Sequence, residues 1–123
     1  MAVTSPQKTM LLIGASRGLG YAIAEQYLER GWRVIATGRA NSMSKLRHLS
    51  EKSSGALELE TVDITDVDQI IALRQCLQDR RLDLLLVNAG VKNDDRETIA
   101  DVSTEEFVRV MVTNSLSPMR VVE

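Results

Sequence analysis

The sequence predicts a doubly wound α/β domain, a parallel sheet with helices on both faces. Three observations carry this expectation. Short apolar runs at 8–13, 33–37 and 84–87 alternate with longer stretches whose apolar residues recur at helical spacing. The first and last of these runs are apolar at consecutive positions, as strands covered on both faces are. Finally, the first run breaks into Gly14-Ala-Ser-Arg-Gly18-Leu-Gly20 and a helical pattern follows at once, which makes a strand, a tight turn and a helix start.

Taken in order, residues 1–7, with Pro6, read as a flexible leader and residues 8–123 as one incomplete domain. After the strand at 8–13, Leu19, Ala22, Ile23 and Tyr27 form a helical stripe, with Glu25, Glu29 and Arg30 on other faces. Gly31 stands where a helix-ending glycine belongs. Residues 33–37 form a second, β-rich run, residues 41–52 are polar and weakly helical, and Ser53-Ser-Gly55 is a turn. Residues 57–62 alternate apolar and polar, the pattern of a strand at a sheet edge. Thr65 and Asp68 have capping-box spacing ahead of the stripe Val67, Ile70, Ile71 and Leu77. Residues 84–87 are the fourth strand. Ser103 with Glu106 is a capping box ahead of Phe107, Val110 and Met111.

Composition narrows the function classes. At 123 residues, 44% hydrophobic and 26% charged, the chain has the make-up of one globular domain. A formal net charge of -2 gives no footprint for nucleic acid or for an anionic membrane surface, and aromatics at 3% argue against a base-stacking platform. The apolar runs are too short to span a bilayer, and the first residues lack a signal-peptide core. A single cysteine, Cys76, gives neither a disulfide framework nor zinc-ligand spacing, so a reducing, cytoplasmic setting is expected. Cys76 falls on a helix away from every motif and reads as an inert thiol. His48, between Arg47 and Leu49, reads as a surface residue, and residues 92–97 as a solvated loop.

The glycine turn is the feature with chemistry in it. Gly14 allows a sharp turn at the strand end, Gly18 leaves room for a pyrophosphate against the main chain, and Gly20 lets the helix pack closely on the strand. The helix start then offers unpaired N–H groups and about half a positive charge to an anion. With its Gly-x-x-x-Gly-x-Gly spacing, the chain resembles the short-chain dehydrogenase/reductase family, whose fold is of the Rossmann type. Asn88-Ala-Gly90 after the fourth strand, Asp63 at the end of the third, Thr37-Gly-Arg39 at the end of the second and Asn114 in Val112-Thr-Asn-Ser115 resemble further motifs of that family. Among its small reductases the chain most resembles the C-factor-type members.

The resemblance implies a nicotinamide dinucleotide held by Gly14, Ser16, Arg17, Gly18, Leu19, Gly20, Arg39, Asp63, Ile64, Asn88, Ala89 and Gly90. It places Asn114 in the active site, a small carbonyl or alcohol as substrate, and homo-oligomers among the possible assemblies. Asp63 would accept from the adenine amino group, with a plainer part as a carboxylate at the start of the next helix. Asn88 has a purely structural alternative of tying the sheet together. An acid about 20 positions past the glycines would favour NAD(H). Here Arg39 occupies that region and Arg17 lies in the turn, which favours the 2′-phosphate of NADP(H), unless both are simply solvated charges.

In the family a Ser and a Tyr-x-x-x-Lys complete the chemistry. The only tyrosines here, Tyr21 and Tyr27, are followed four residues on by Glu25 and Gly31. The expectation is thus a sheet truncated after its fourth strand and following helix. It would be the cofactor-binding half of an NADP(H)-dependent oxidoreductase, inactive alone, with residues 84–87 as a sticky sheet edge. The alternative is a non-catalytic nucleotide- or partner-binding module of the same descent.

Overall fold

Strand β1 (Thr9–Ile13) has an apolar residue at nearly every position because it lies inside the sheet, with a neighbour on each side. The structure is a computed structural model that describes residues 6–91, 96, 98 and 100–123. Strands β2 (Arg33–Gly38), β3 (Leu57–Thr61) and β4 (Leu84–Val87) complete a parallel sheet of order β3-β2-β1-β4. The register places Leu11 between Ile35 and Leu85. Successive side chains on a strand point to opposite faces, so two cores form. Met10, Leu12, Val34 and Ala36 pack with Ala24 and Leu46, from helices α1 (Gly18–Glu29) and α2 (Ser44–Lys52). Leu11, Ile13 and Ile35 pack with Leu73 of helix α3 (Val67–Leu77) and with Val62 and Ile64.

The ends of the helices follow local chemistry. The carboxyl end of α1 closes as the glycine predicts. Trp32 N–H donates to the Tyr27 carbonyl and Gly31 N–H to that of Leu28, each at 3.0 Å, with Gly31 at φ +82°. The polar stretch at 41–52 resolves into a 3₁₀ turn (Ala40–Ser42) followed by α2. The expected cap at Thr65 is corrected. Asp63 Oδ1 accepts from both Thr65 N–H (2.9 Å) and Thr65 Oγ1 (2.6 Å), which commits that hydroxyl backwards. Asp66 caps α3 instead, accepting from the N–H groups of Asp68 and Gln69. Ser103 does cap helix α4 (Thr104–Met111), its Oγ accepting from Glu106 N–H at 3.1 Å. A π turn (Val112–Leu116) then leads into α5 (Ser117–Val122), so Asn114 lies in a widened turn, not in a regular helix.

Of the leader, residues 1–5 lie outside the described residues, while Gln7 Nε2 donates to the Gly31 carbonyl at 3.1 Å. The loop expected at 92–97 also lies outside them, except for Arg96. Among the described residues no helix is long and apolar enough to cross a membrane, and no cluster of three or more metal-ligating side chains forms.

Candidate cofactor cleft

The carboxyl ends of the four parallel strands converge on one cleft of about 320 Å³. Its walls come from the residues that follow each strand: Gly14, Ser16 and Arg17 after β1, Arg39 after β2, Asp63 and Ile64 after β3, and Asn88, Ala89 and Gly90 after β4. Parallel strands that split to the two sides of one strand leave a crevice at that point, and ligands of such sheets bind there.

The glycine turn is built by close backbone contacts. Gly14 has φ +89°, and a Cβ there would lie 2.6 Å from Ala89 N, so any side chain would push the turn off β4. At Gly20 a Cβ would lie 2.0 Å from the Gly14 carbonyl oxygen and 2.8 Å from Asn88 Nδ2. Helix α1 therefore starts in direct contact with the turn it follows. Gly18 differs: φ is +57° and a Cβ would meet nothing within 4 Å, which leaves open space beside the backbone. Arg17 precedes α1 in an extended conformation and makes no side-chain cap bond, so the helix start lacks the capping oxygen that Asp66 and Ser103 give α3 and α4. Gly18, Leu19 and Gly20 belong to this helix start but do not line the cleft, and Leu19 is 68% exposed.

Two strand ends hold the turn in place. Thr37, 1% exposed, accepts through Oγ1 from Gly14 N–H at 3.1 Å, and its carbonyl accepts from Ala15 N–H at 2.8 Å. Asn88, which lines the cleft, also donates through Nδ2 to the Gly14 carbonyl at 3.2 Å, a bond between the end of β4 and the turn. Asn114 does not line the cleft, but it shapes the wall that does. Its Oδ1 accepts from Val91 N–H at 2.7 Å and its Nδ2 donates to the Val91 carbonyl at 2.5 Å. A Cβ on Gly90 would lie 3.2 Å from Asn114 Oδ1, so the glycine lets the helix come this near.

Among the described residues that line it, the cleft carries three guanidiniums, Arg17, Arg39 and Arg109, and one carboxylate, Asp63. The Thr65 hydroxyl, then the Thr65 amide, and then the charge of Arg39 hold the Asp63 carboxyl below its ordinary value. Asp63 is thus ionised at neutral pH, and the balance among the described lining residues stays positive. Both bonds from Thr65 fall on Oδ1, so among the described residues Oδ2 has no hydrogen-bond donor.

Sequence reasoning missed Thr37, Thr113 and Arg109 as walls of this cleft. Thr37 was legible only as the end of a strand. Thr113 and Arg109 lie one helical turn apart on α4 and its π turn, a spacing that puts both on one face. The expectation for Cys76 is corrected in part. It is exposed on α3, but it lines a second cleft of about 600 Å³ together with Arg39 and Asp63, so it is not remote from the motifs. His48 is an exposed residue 3.9 Å from Glu51, as expected. Tyr21 and Tyr27 pack against the core under α1 and do not line the cofactor cleft.

Comparison with known proteins places this geometry. The family model for short chain dehydrogenase matches residues 8–123. A solved structure from Burkholderia multivorans, described as a short-chain dehydrogenase/reductase with bound NADP, is 51% identical with a TM-score of 0.90, over 95% of this chain and 52% of that one. A carbonyl reductase from Pseudomonas aeruginosa PAO1 in complex with NADP is 31% identical with a TM-score of 0.86, over 94% of this chain and 53% of its own. A 3-oxoacyl-(acyl-carrier-protein) reductase from Vibrio harveyi is 34% identical over 116 residues, 91% of this chain and 45% of its own length. The chain thus spans about half the length of each of these relatives. On the matched model, the parallel sheet and the cleft at its strand ends, the chain belongs to the short-chain dehydrogenase/reductase family.

Proposed function

We propose that this chain is the nucleotide-binding part of an NADP(H)-dependent oxidoreductase of the carbonyl reductase or alcohol dehydrogenase type. One observation carries the reading: Gly14, Ser16 and Arg17 of the glycine turn, Arg39, Asp63-Ile64 and Asn88-Ala-Gly90 all line one crevice at the strand ends. NADP in two of the related structures supports the same ligand class.

The open space at Gly18 and the uncapped start of α1 suit a pyrophosphate, which would lie against the main chain from Gly14 to Gly20, beside Ser16 and Leu19. Arg17 and Arg39 take the 2′-phosphate, through charge-assisted bonds that a ribose hydroxyl cannot match. Asp63 Oδ2 accepts from the adenine amino group and Ile64 borders the ring. Asn88, Ala89 and Gly90 form the floor. Asn114 belongs to the active site and fixes the path of the chain after Gly90 through its two bonds to Val91. The nicotinamide supplies the hydride chemistry at a carbonyl or alcohol carbon when bound.

Titration of the chain with NADPH and with NADH tests this. NADPH is expected to bind more tightly, and Arg39→Ala to weaken NADPH about tenfold while leaving NADH unchanged. Tighter NADH binding, or an Arg39→Ala variant with unaltered NADPH affinity, overturns the cofactor assignment.

The second reading is a nucleotide-binding module without turnover. It is favoured by the position of Tyr21 and Tyr27, which stand under α1 away from the cleft. NADPH binding without reduction of a generic carbonyl distinguishes it from the first.

A further inference from the structure

Thr37 is the polar exception in the interior of β2. The strand is buried from Val34 to Gly38, and Val34, Ile35 and Ala36 ahead of Thr37 are apolar. A buried hydroxyl costs stability unless it finds a partner, and a valine of nearly the same shape would fill the site without that cost. The hydroxyl here has a specific partner. Pairing of β1 with β2 ends at Leu12 opposite Ala36. Just past that point Thr37 alone catches two successive amides of the turn, Gly14 N–H through Oγ1 and Ala15 N–H through its carbonyl. A valine would keep the second bond and leave the Gly14 amide without that acceptor.

The pose of Gly14 is passed straight to the start of α1. The Gly14 carbonyl oxygen sits so near Gly20 that a Cβ on Gly20 would lie 2.0 Å from it. Asn88 Nδ2 donates to the same carbonyl from the end of β4. Both polar main-chain groups of Gly14 are therefore held by side chains, one from each strand beside β1. A turn fixed in this way meets an anion already ordered, whereas ordering that is left until binding lowers affinity. Thr37 Oγ1 accepts from the Gly14 amide, so its effect on a bound diphosphate runs through the turn.

We propose that Thr37 is a positioning residue: its hydroxyl, more than its bulk, fixes Gly14 and with it the start of α1, and so sets affinity for the diphosphate bridge of the dinucleotide. This rests on the nucleotide-binding reading above. It gives the end of β2 two separate parts in that reading, with Thr37 shaping the turn and Arg39, two residues on, taking the 2′-phosphate.

The test measures the affinity of the full chain for NADPH, NADH and adenosine 2′-monophosphate, which carries the 2′-phosphate but no diphosphate. T37V keeps the bulk and loses the acceptor. It is expected to weaken NADPH and NADH alike, by about five- to tenfold, and to leave the monophosphate unchanged. T37S keeps the acceptor and loses a methyl, and is expected to recover most of the dinucleotide affinity even where it melts earlier. Hydrogen exchange at the Gly14 amide gives a second readout, expected to be faster in T37V and not in T37S. Should T37V fail to fold, T37S and T37A differ by the hydroxyl alone, and T37A is then expected to show the loss. Unchanged dinucleotide affinity in T37V, an equal loss in T37S and T37V, or a loss shared by the monophosphate overturns the assignment. If the unsubstituted chain binds neither dinucleotide, the nucleotide-binding reading falls first and this one falls with it.

Discussion

Ile35 and Leu85 are the two register partners of Leu11, one on each side of it in the same row of the sheet. Both are branched, apolar and mid-strand. Ile35 is 0% exposed and Leu85 is 36% exposed. Position explains the difference. β2 has β1 and β3 beside it, and Ile35 packs with Val62, Ile64 and Leu73. β4 pairs with β1 alone among the described residues, and Phe107, Met111, Met119 and Val122 on the helices after it are also exposed. An apolar run therefore reports what cover a strand is suited to, and the sheet order reports how much cover it has here.

That contrast predicts an ordered set of effects. The largest belongs to the well-covered side. Ile35→Ala is expected to cost about 3 kcal/mol in chemical denaturation, while Leu85→Ala costs well under half of that. Equal losses would mean that Leu85 is as well packed as Ile35 and would break the comparison. Asn88→Ala comes next, at about 1 kcal/mol, because it removes the bond to the Gly14 carbonyl that ties β4 to the turn. A neutral Asn88→Ala would remove its structural role.

The smallest effect sharpens the picture at the far edge. Glu58 on β3 bridges Arg80 at 2.6 Å and Arg33 at 3.3 Å, and the hydrogen bond from Arg80, ahead of the charges of both arginines, lowers its pKa from the ordinary 4.5 despite partial burial. A carboxylate with a lowered folded-state pKa adds stability that is complete above its unfolded value and is lost as pH falls through the folded one. With a third of the side chain exposed, solvent screening holds the contribution to about 0.5 kcal/mol. Glu58→Gln is expected to cost that amount at pH 7, with the gap to the unsubstituted chain closing on acidification below about pH 4.5. A gap that grows on acidification contradicts the assigned sign.

The parts of the molecule legible in the sequence are those whose causes are local. The turn from Gly14 to Gly20 lies between a strand and a helix that it joins directly, and the Gly31 helix end and the Ser103 cap need only neighbours within five residues. The cap of α3 was misplaced by one residue because two local arrangements competed, and Asp63 claimed Thr65 before the helix could. Thr37 reaching Gly14, Cys76 sharing a cleft wall with Arg39, and Arg109 joining Ile64 all depend on how separate elements meet, which no spacing within one element encodes.

The account rests on a dinucleotide lying in the crevice at the strand ends, and backbone amide NMR of the chain titrated with NADP tests that most directly. The largest shifts are expected at the amides of Arg17–Gly20, Asp63, Ile64 and Gly90, with much smaller ones along α2. Saturating NADP that leaves the glycine-turn amides unmoved, or that moves only residues far from this crevice, would contradict it.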